Sequence, residues 1–336
     1  MSQPYWDYDS MLAMSLDSKT INFLYGDLML HGIRQTGLMY FNRRLFDEFH
    51  GNPESLYKTV LEGNWTLDEF NRLSTGVYAD LNGNSNVDED ADRFAYMLSS
   101  NDEETITHFV FSTDIKTHER NEQGVPLILL NDGRAFDIAE RLTAMFSTAN
   151  KDCLLSKYSL SDPAIFEAFG SGRTLFLPER FYAATQTALR EMKDDYGVIP
   201  YPKFDESQTD YVNLIHNSGT TAAAPIALSD ERFSMLCAVL EAMASEQHCS
   251  VLPAFFELTL KTKYTRDDIS SQIIDLVYDC SRKDLISEYS LVSGYYYGLI
   301  SKCIHQGTGY ASTYASGITA AQSNLTALYD EICSQN

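Results

Sequence analysis

The 336 residues carry 25 basic against 47 acidic side chains, a net charge of −22, with 44% hydrophobic and 12% aromatic residues. Such a length favours two lobes, and such a hydrophobic fraction fills real cores, which excludes a disordered chain. The acidity argues against nucleic acid or an anionic membrane surface as partner, because phosphate binding needs a basic face.

In chain order, the run Thr20–Tyr25 before Gly26 predicts a strand, and GLMYF from Gly37 to Phe41 predicts another. Asn42 opens a helix, NRRLFDEFH, and LYKTVLEG after Pro53 is a second helix closed by Gly63. Thr66 with Glu69 three residues later has the form of a capping box, so a helix is expected from Trp65–Phe70 to about Tyr78. An acidic loop from Asp80 to Asp92 precedes a strand from Arg93 to Leu98. A strand over Val125–Leu130 is followed by a helix from about Arg134 to Ala149. Farther on, helices are expected over 230–247, 252–264, 267–279 and 311–333. Trp65 reads as a packing residue.

The most informative stretch is 170–204, GSGRTLFLPERFYAATQTALREMKDDYGVIPYPKF. Thr174–Leu177 reads as a short buried strand stopped by Pro178. Apolar residues spaced by three and four predict a helix from Glu179 to Lys193. Tyr196–Ile199 is a second strand, ended by Pro200 and Pro202. Strand, helix and strand in so short a span predict one crossover unit of a mostly parallel sheet.

No apolar run approaches the roughly 18–20 residues of a membrane-spanning helix. The opening MSQPYWDYDSMLAMSLDSK has neither a basic start nor an apolar core, so it does not read as a signal peptide. The six cysteines contain no CxxC, and the seven histidines show no metal spacing. HExxH, GxSxG and the phosphate-binding P-loop pattern are all missing, so catalytic signals are poor.

The order of these pieces resembles the family 1 extracellular solute-binding proteins of carbohydrate ABC importers, the maltose-binding-protein-like group. The resemblance rests on the GSGRTLFLPERFY…DYGVIPYPK stretch, on GLMYFNRRLFDEF, on LEGNWTLDEF and on LEAMASEQHCSVLPAFFELTLKTKYTRDD. It implies an α/β, two-lobe periplasmic-binding-protein-like (type II) fold. Because family members carry a longer stretch before the YWD element at Tyr5–Asp7, the amino-terminal lobe is expected to be incomplete. The expected division is 1–34 with 218–283 as the remnant of that lobe, and 35–217 with 284–336 as the carboxy-terminal lobe. The implied function is capture of a mono- or oligosaccharide and its delivery to ABC permease subunits, without catalysis. It would take place at the extracellular face of the membrane, the full-length parent being a lipoprotein or secreted protein. The alternative is a secreted carbohydrate-active hydrolase.

A sugar site needs an aromatic face and planar polar partners. The resemblance points to Tyr182 as the stacking ring, with Glu179 and Arg180 as hydroxyl partners and Gln35 as a polar contact. Glu104, in the loop SSNDEET, and Tyr296, in the aromatic run 295–297, complete the candidate set. No cofactor is expected, calcium apart. Asp80, Asn82, Asn84, the carbonyl of Asn86 and Asp92 resemble a calcium loop. Ser85 at its sixth position and Ala91 at its twelfth favour an acidic turn instead.

Overall fold

A computed structural model of the chain describes residues 2–99, 104–147, 149–158, 163–225, 227–259, 268–294 and 298–333. Among the described residues the strands are β1 (Gly37–Asn42), β2 (Tyr96–Ser99), β3 (His118–Arg120), β4 (Pro126–Ile128), β5 (Cys153–Ser156), β6 (Phe176–Arg180), β7 (Tyr196–Ile199), β8 (Asn213–Leu214) and β9 (Ser281–Arg282). They form small open sheets between helices: β6-β1-β7, β2-β5, β3-β4 and β8-β9.

The organising element is β1. All six of its residues are buried, and it pairs antiparallel with both β6 and β7. The expected crossover therefore exists, because β6 and β7 run the same way, but β1 lies between them. The sheet at this point is antiparallel, whereas β2 and β5 pair in parallel. Close packing against β1 explains Gly197: a Cβ there would come within 2.1 Å of the Phe41 ring.

Asn42 ends β1 and caps the next helix, Arg43–His50, its side chain accepting from Leu45 N at 3.0 Å. Thr66 caps Leu67–Ser74 in the same way, so the helix begins where expected but ends four residues sooner. Trp65 is fully buried, its Nε1 donating to Pro200 O at 2.9 Å.

Two expectations are overturned. No continuous helix runs from Glu179 to Lys193. Pairing with β1 carries β6 through Pro178 to Arg180, and a 3-10 turn, Phe181–Thr185, and one helical turn, Thr187–Arg190, follow around an extended Gln186. The helical spacing is real, yet strand pairing and burial of all five β6 residues override it. Thr20–Tyr25 is no strand: its only sheet-like contact is the isolated bridge between Leu24 and Ala222.

The main core runs from Leu16 to Leu325 around β1 and the Phe70, Tyr96, Phe109 and Phe176 rings. A smaller cluster gathers Trp6, Met11, Met14, Tyr25, Met29, Ile215 and Ala244. The helix Asp230–Glu246 leans on it and is held by Glu241, which accepts from Tyr5 OH at 2.6 Å and Trp6 Nε1 at 2.9 Å.

Candidate functional site

Three chain segments pass one another beside the end of β6. Thr36 bridges Ile215 antiparallel, His216 N donates to Gln35 O at 3.1 Å, and Phe181 N donates to Thr36 O at 3.1 Å. On the far side of Ile215, its N donates to Arg282 O at 2.9 Å. Alternation along extended backbone sends Gln35 and His216 to one face and Thr36 and Ile215 to the other.

On the first face sits a polar network centred on Arg180. Its Nη1 donates to Gln35 Oε1 at 2.9 Å and pairs with Glu104 Oε2 at 2.8 Å. Its Nε reaches Glu179 Oε2 at 3.2 Å, and Nη2 reaches Glu179 Oε1 at 3.4 Å. Glu179 is only 2% exposed, so it serves as a brace beneath the guanidinium rather than a group open to solvent. Gln35 Nε2 lies 3.4 Å from His31 Nε2, and His31 Nδ1 lies 2.9 Å from Thr220 Oγ1.

Glu104 Oε1 stands 3.3 Å from His216 Nε2. His216 Nδ1 accepts from the Ser218 amide at 3.2 Å, which leaves the proton on Nε2, facing that carboxylate. Burial, with Arg180 and Lys283 adding to it, pushes the His216 pKa down to about 3, so the imidazole is neutral near pH 7. His108 is buried beside it, stacked on Tyr201 at 5.3 Å, and is likewise held well below the ordinary value, chiefly by burial. Gly37 lets that ring lie against the backbone: a Cβ there would sit 2.4 Å from His108 Nδ1.

Tyr182 borders the network, half-buried in the 3-10 turn. Phe166 meets its ring edge-on at 6.4 Å, and the Arg34 and Arg180 guanidinium carbons lie 5.6 and 6.0 Å from its centroid. Gln35, Glu104, Glu179, Arg180 and Tyr182 thus come together, while Tyr296 lies outside the described residues. His31, Arg34, His108, His216 and Thr220 were not anticipated. Histidines scanned only for metal spacing give no sign that two of them are buried and neutral beside an arginine.

The network does not open onto the cavity of about 850 Å³ found on the other face of the crossing. Thr36 and Ile215 line that cavity together with Asp7, Asp9, Asp210 and Arg282. The Asp80–Asp92 loop is an acidic turn whose oxygens accept from its own backbone. Asp80 takes Gly83 N and Ser85 N, each at 2.7 Å, and Asn84 Oδ1 takes Asn86 N at 2.7 Å. Buried Asp92 takes Leu81 N, Asp88 N and Tyr78 OH. Among the described residues no group of three or more His, Cys, Asp and Glu side chains is placed to hold a metal ion.

The arrangement can bind a polar ligand on an aromatic edge; it holds no nucleophile beside a base. No protein-family model matches the sequence, and no curated protein matches it. Solved structures resemble it over most of its length. The sugar-binding protein MalE from Xanthomonas citri matches with a TM-score of 0.57 at 12% identity, over 90% of this chain and 71% of that one. A cyclo/maltodextrin-binding protein complexed with maltotetraose matches with 0.56 at 13%, over 98% and 76%. An ABC transporter solute-binding protein from Thermotoga lettingae bound with alpha-D-tagatose matches with 0.55 at 11%, over 86% and 70%. Likeness at such identity shows the fold. The molecule has the two-lobed, periplasmic-binding-protein-like α/β fold, built here on small open sheets, and these neighbours are by their names binding proteins. Among the described residues no helix is long and apolar enough to cross a membrane.

Proposed function

We propose that the chain is the carbohydrate-binding subunit of an ABC importer, capturing a mono- or oligosaccharide between two lobes and delivering it to permease subunits. One observation carries the reading: in a fold of this class, Gln35, Glu104 and Arg180 converge beside Tyr182 where the chain segments cross. Planar amide, carboxylate and guanidinium groups are the partners that adjacent hydroxyls require, and a half-buried ring supplies the apolar face. The subunit turns nothing over. It works at the extracellular face of the membrane, its full-length parent a lipoprotein or secreted protein.

The lobes in this reading are 35–217 with 284–336, and 1–34 with 218–283. Their boundaries fall at the paired segments Gln35–Thr36, Ile215–His216 and Arg282–Lys283. Closure about these segments brings the lobes together on the ligand. The second lobe is the incomplete one of a family 1 solute-binding protein shortened at its amino end. In support, the helix Asp230–Glu246 buries only Ala244 and exposes Phe233, Met235, Val239 and Met243.

Calorimetric titration with a glycan panel tests the function. Binding of at least one saccharide, weakened by Tyr182→Ala, is the expected result. Loss of a stacking ring costs about 0.5–1.5 kcal/mol beyond its buried area. Release of reducing sugar from any glycan would overturn the reading in favour of a hydrolase.

A further inference from the structure

We infer that the saccharide taken at this site carries an anionic group, paired with Arg34; the inference rests on the sugar-binding reading above. Two guanidiniums flank the Tyr182 ring, and their charges are balanced differently. Arg180 is matched by Glu179 and Glu104. Arg34 has no carboxylate within ion-pair distance among the described residues, although the chain holds 47 acids against 25 bases. Its one hydrogen bond runs from Nη2 to the Thr185 hydroxyl at 3.1 Å, and its buried Nε has no acceptor.

Thr185 in turn donates to Tyr182 O at 2.7 Å, so the hydroxyl turns a lone pair toward Arg34 and ties the guanidinium to the turn that carries the ring. Half-buried and held in place, Arg34 presents a planar fork that matches a carboxylate or phosphate in two parallel bonds. Its charge centre is 5.6 Å from the ring centroid, so a pyranose laid on Tyr182 brings an exocyclic anion within reach. A uronate carboxylate and a sugar phosphate share this chemistry.

The test is calorimetry on the full chain at low salt with trigalacturonate, its neutral methyl ester, maltotriose and a hexose phosphate. A charged hydrogen-bonded pair predicts the anionic ligand bound about tenfold tighter than its neutral counterpart. Arg34→Gln erases that preference and Arg34→Lys keeps part of it, with thermal unfolding recorded for both variants. Preference for trigalacturonate or for the phosphate identifies the source of the anion. Ester bound as tightly as acid, or a preference that survives Arg34→Gln in a folded protein, overturns the inference and leaves the sugar reading standing. Binding of none of these saccharides overturns the sugar reading itself.

Discussion

Removing the Arg180 guanidinium strands Glu179, whose carboxylate is buried and takes its hydrogen bonds from that one residue's backbone and side chain. A buried ion pair adds little when intact, but breaking it leaves an uncompensated charge. Arg180→Met should therefore lower unfolding stability by about 3–5 kcal/mol, with much of the loss recovered in the double variant carrying Glu179→Gln. Denaturant titration of the cycle decides it: equal losses in the single and double variants would mean that the carboxylate does not depend on Arg180. His216 gives a pH signature. The folded protein keeps it neutral down to about pH 3, whereas the unfolded imidazole protonates near 6.5. Between those values the unfolded chain binds the extra proton, so this residue makes stability fall as pH drops from 6.5 toward 3 and contributes no slope above. Carboxylates titrate across the lower part of the same range, so the comparison with His216→Asn isolates the effect. The variant should lose less stability than the parent between neutral pH and about pH 5.

At the scale of elements, the turn Asp80–Asp92 behaves as a unit closed by Asp92, which satisfies two backbone amides and the Tyr78 hydroxyl from a fully buried position. Asp92→Ala should lower Tm by the same amount in calcium and in chelator. Calorimetry should find no calcium affinity in the roughly nanomolar range of buffer-type loops, since Ala91 supplies no bidentate carboxylate. Tight binding, or a Tm loss seen only with calcium, would make this loop a metal site. How legible each element was follows from what determines it. Asn42 and Thr66 marked helix starts because capping is local chemistry between residues three apart. The stretch after Glu179 was misread because its strand is imposed by β1, more than a hundred residues earlier, and no local pattern carries that pairing. The same split runs through the site. Gln35, Glu104, Glu179 and Arg180 could be chosen from the order of motifs, yet the contact of all four with one guanidinium is a tertiary fact. His108 and His216 left no trace, because a buried neutral imidazole has no characteristic neighbours in sequence.

For the molecule as a whole, charge and apolar exposure act in opposite directions. Met235, Val239 and Met243 recur every fourth residue along the helix Asp230–Glu246, so they form one stripe, and each is about half exposed or more. Such a stripe favours association with any apolar surface, including its own copy. A net charge of −22 opposes the approach of a second copy, and that repulsion weakens as salt shortens its range. Self-association should therefore be weak at low ionic strength and rise with added salt, which sedimentation velocity across a salt series will register. Met235→Glu should suppress the salt-induced species while leaving the unfolding midpoint within about 0.5 kcal/mol of the parent, because a side chain 63% exposed has little packing to lose. The two readouts separate the causes. A variant that stays associated in high salt places the contact on another face, whereas a large loss of stability means that Met235 is packed in the protein in solution.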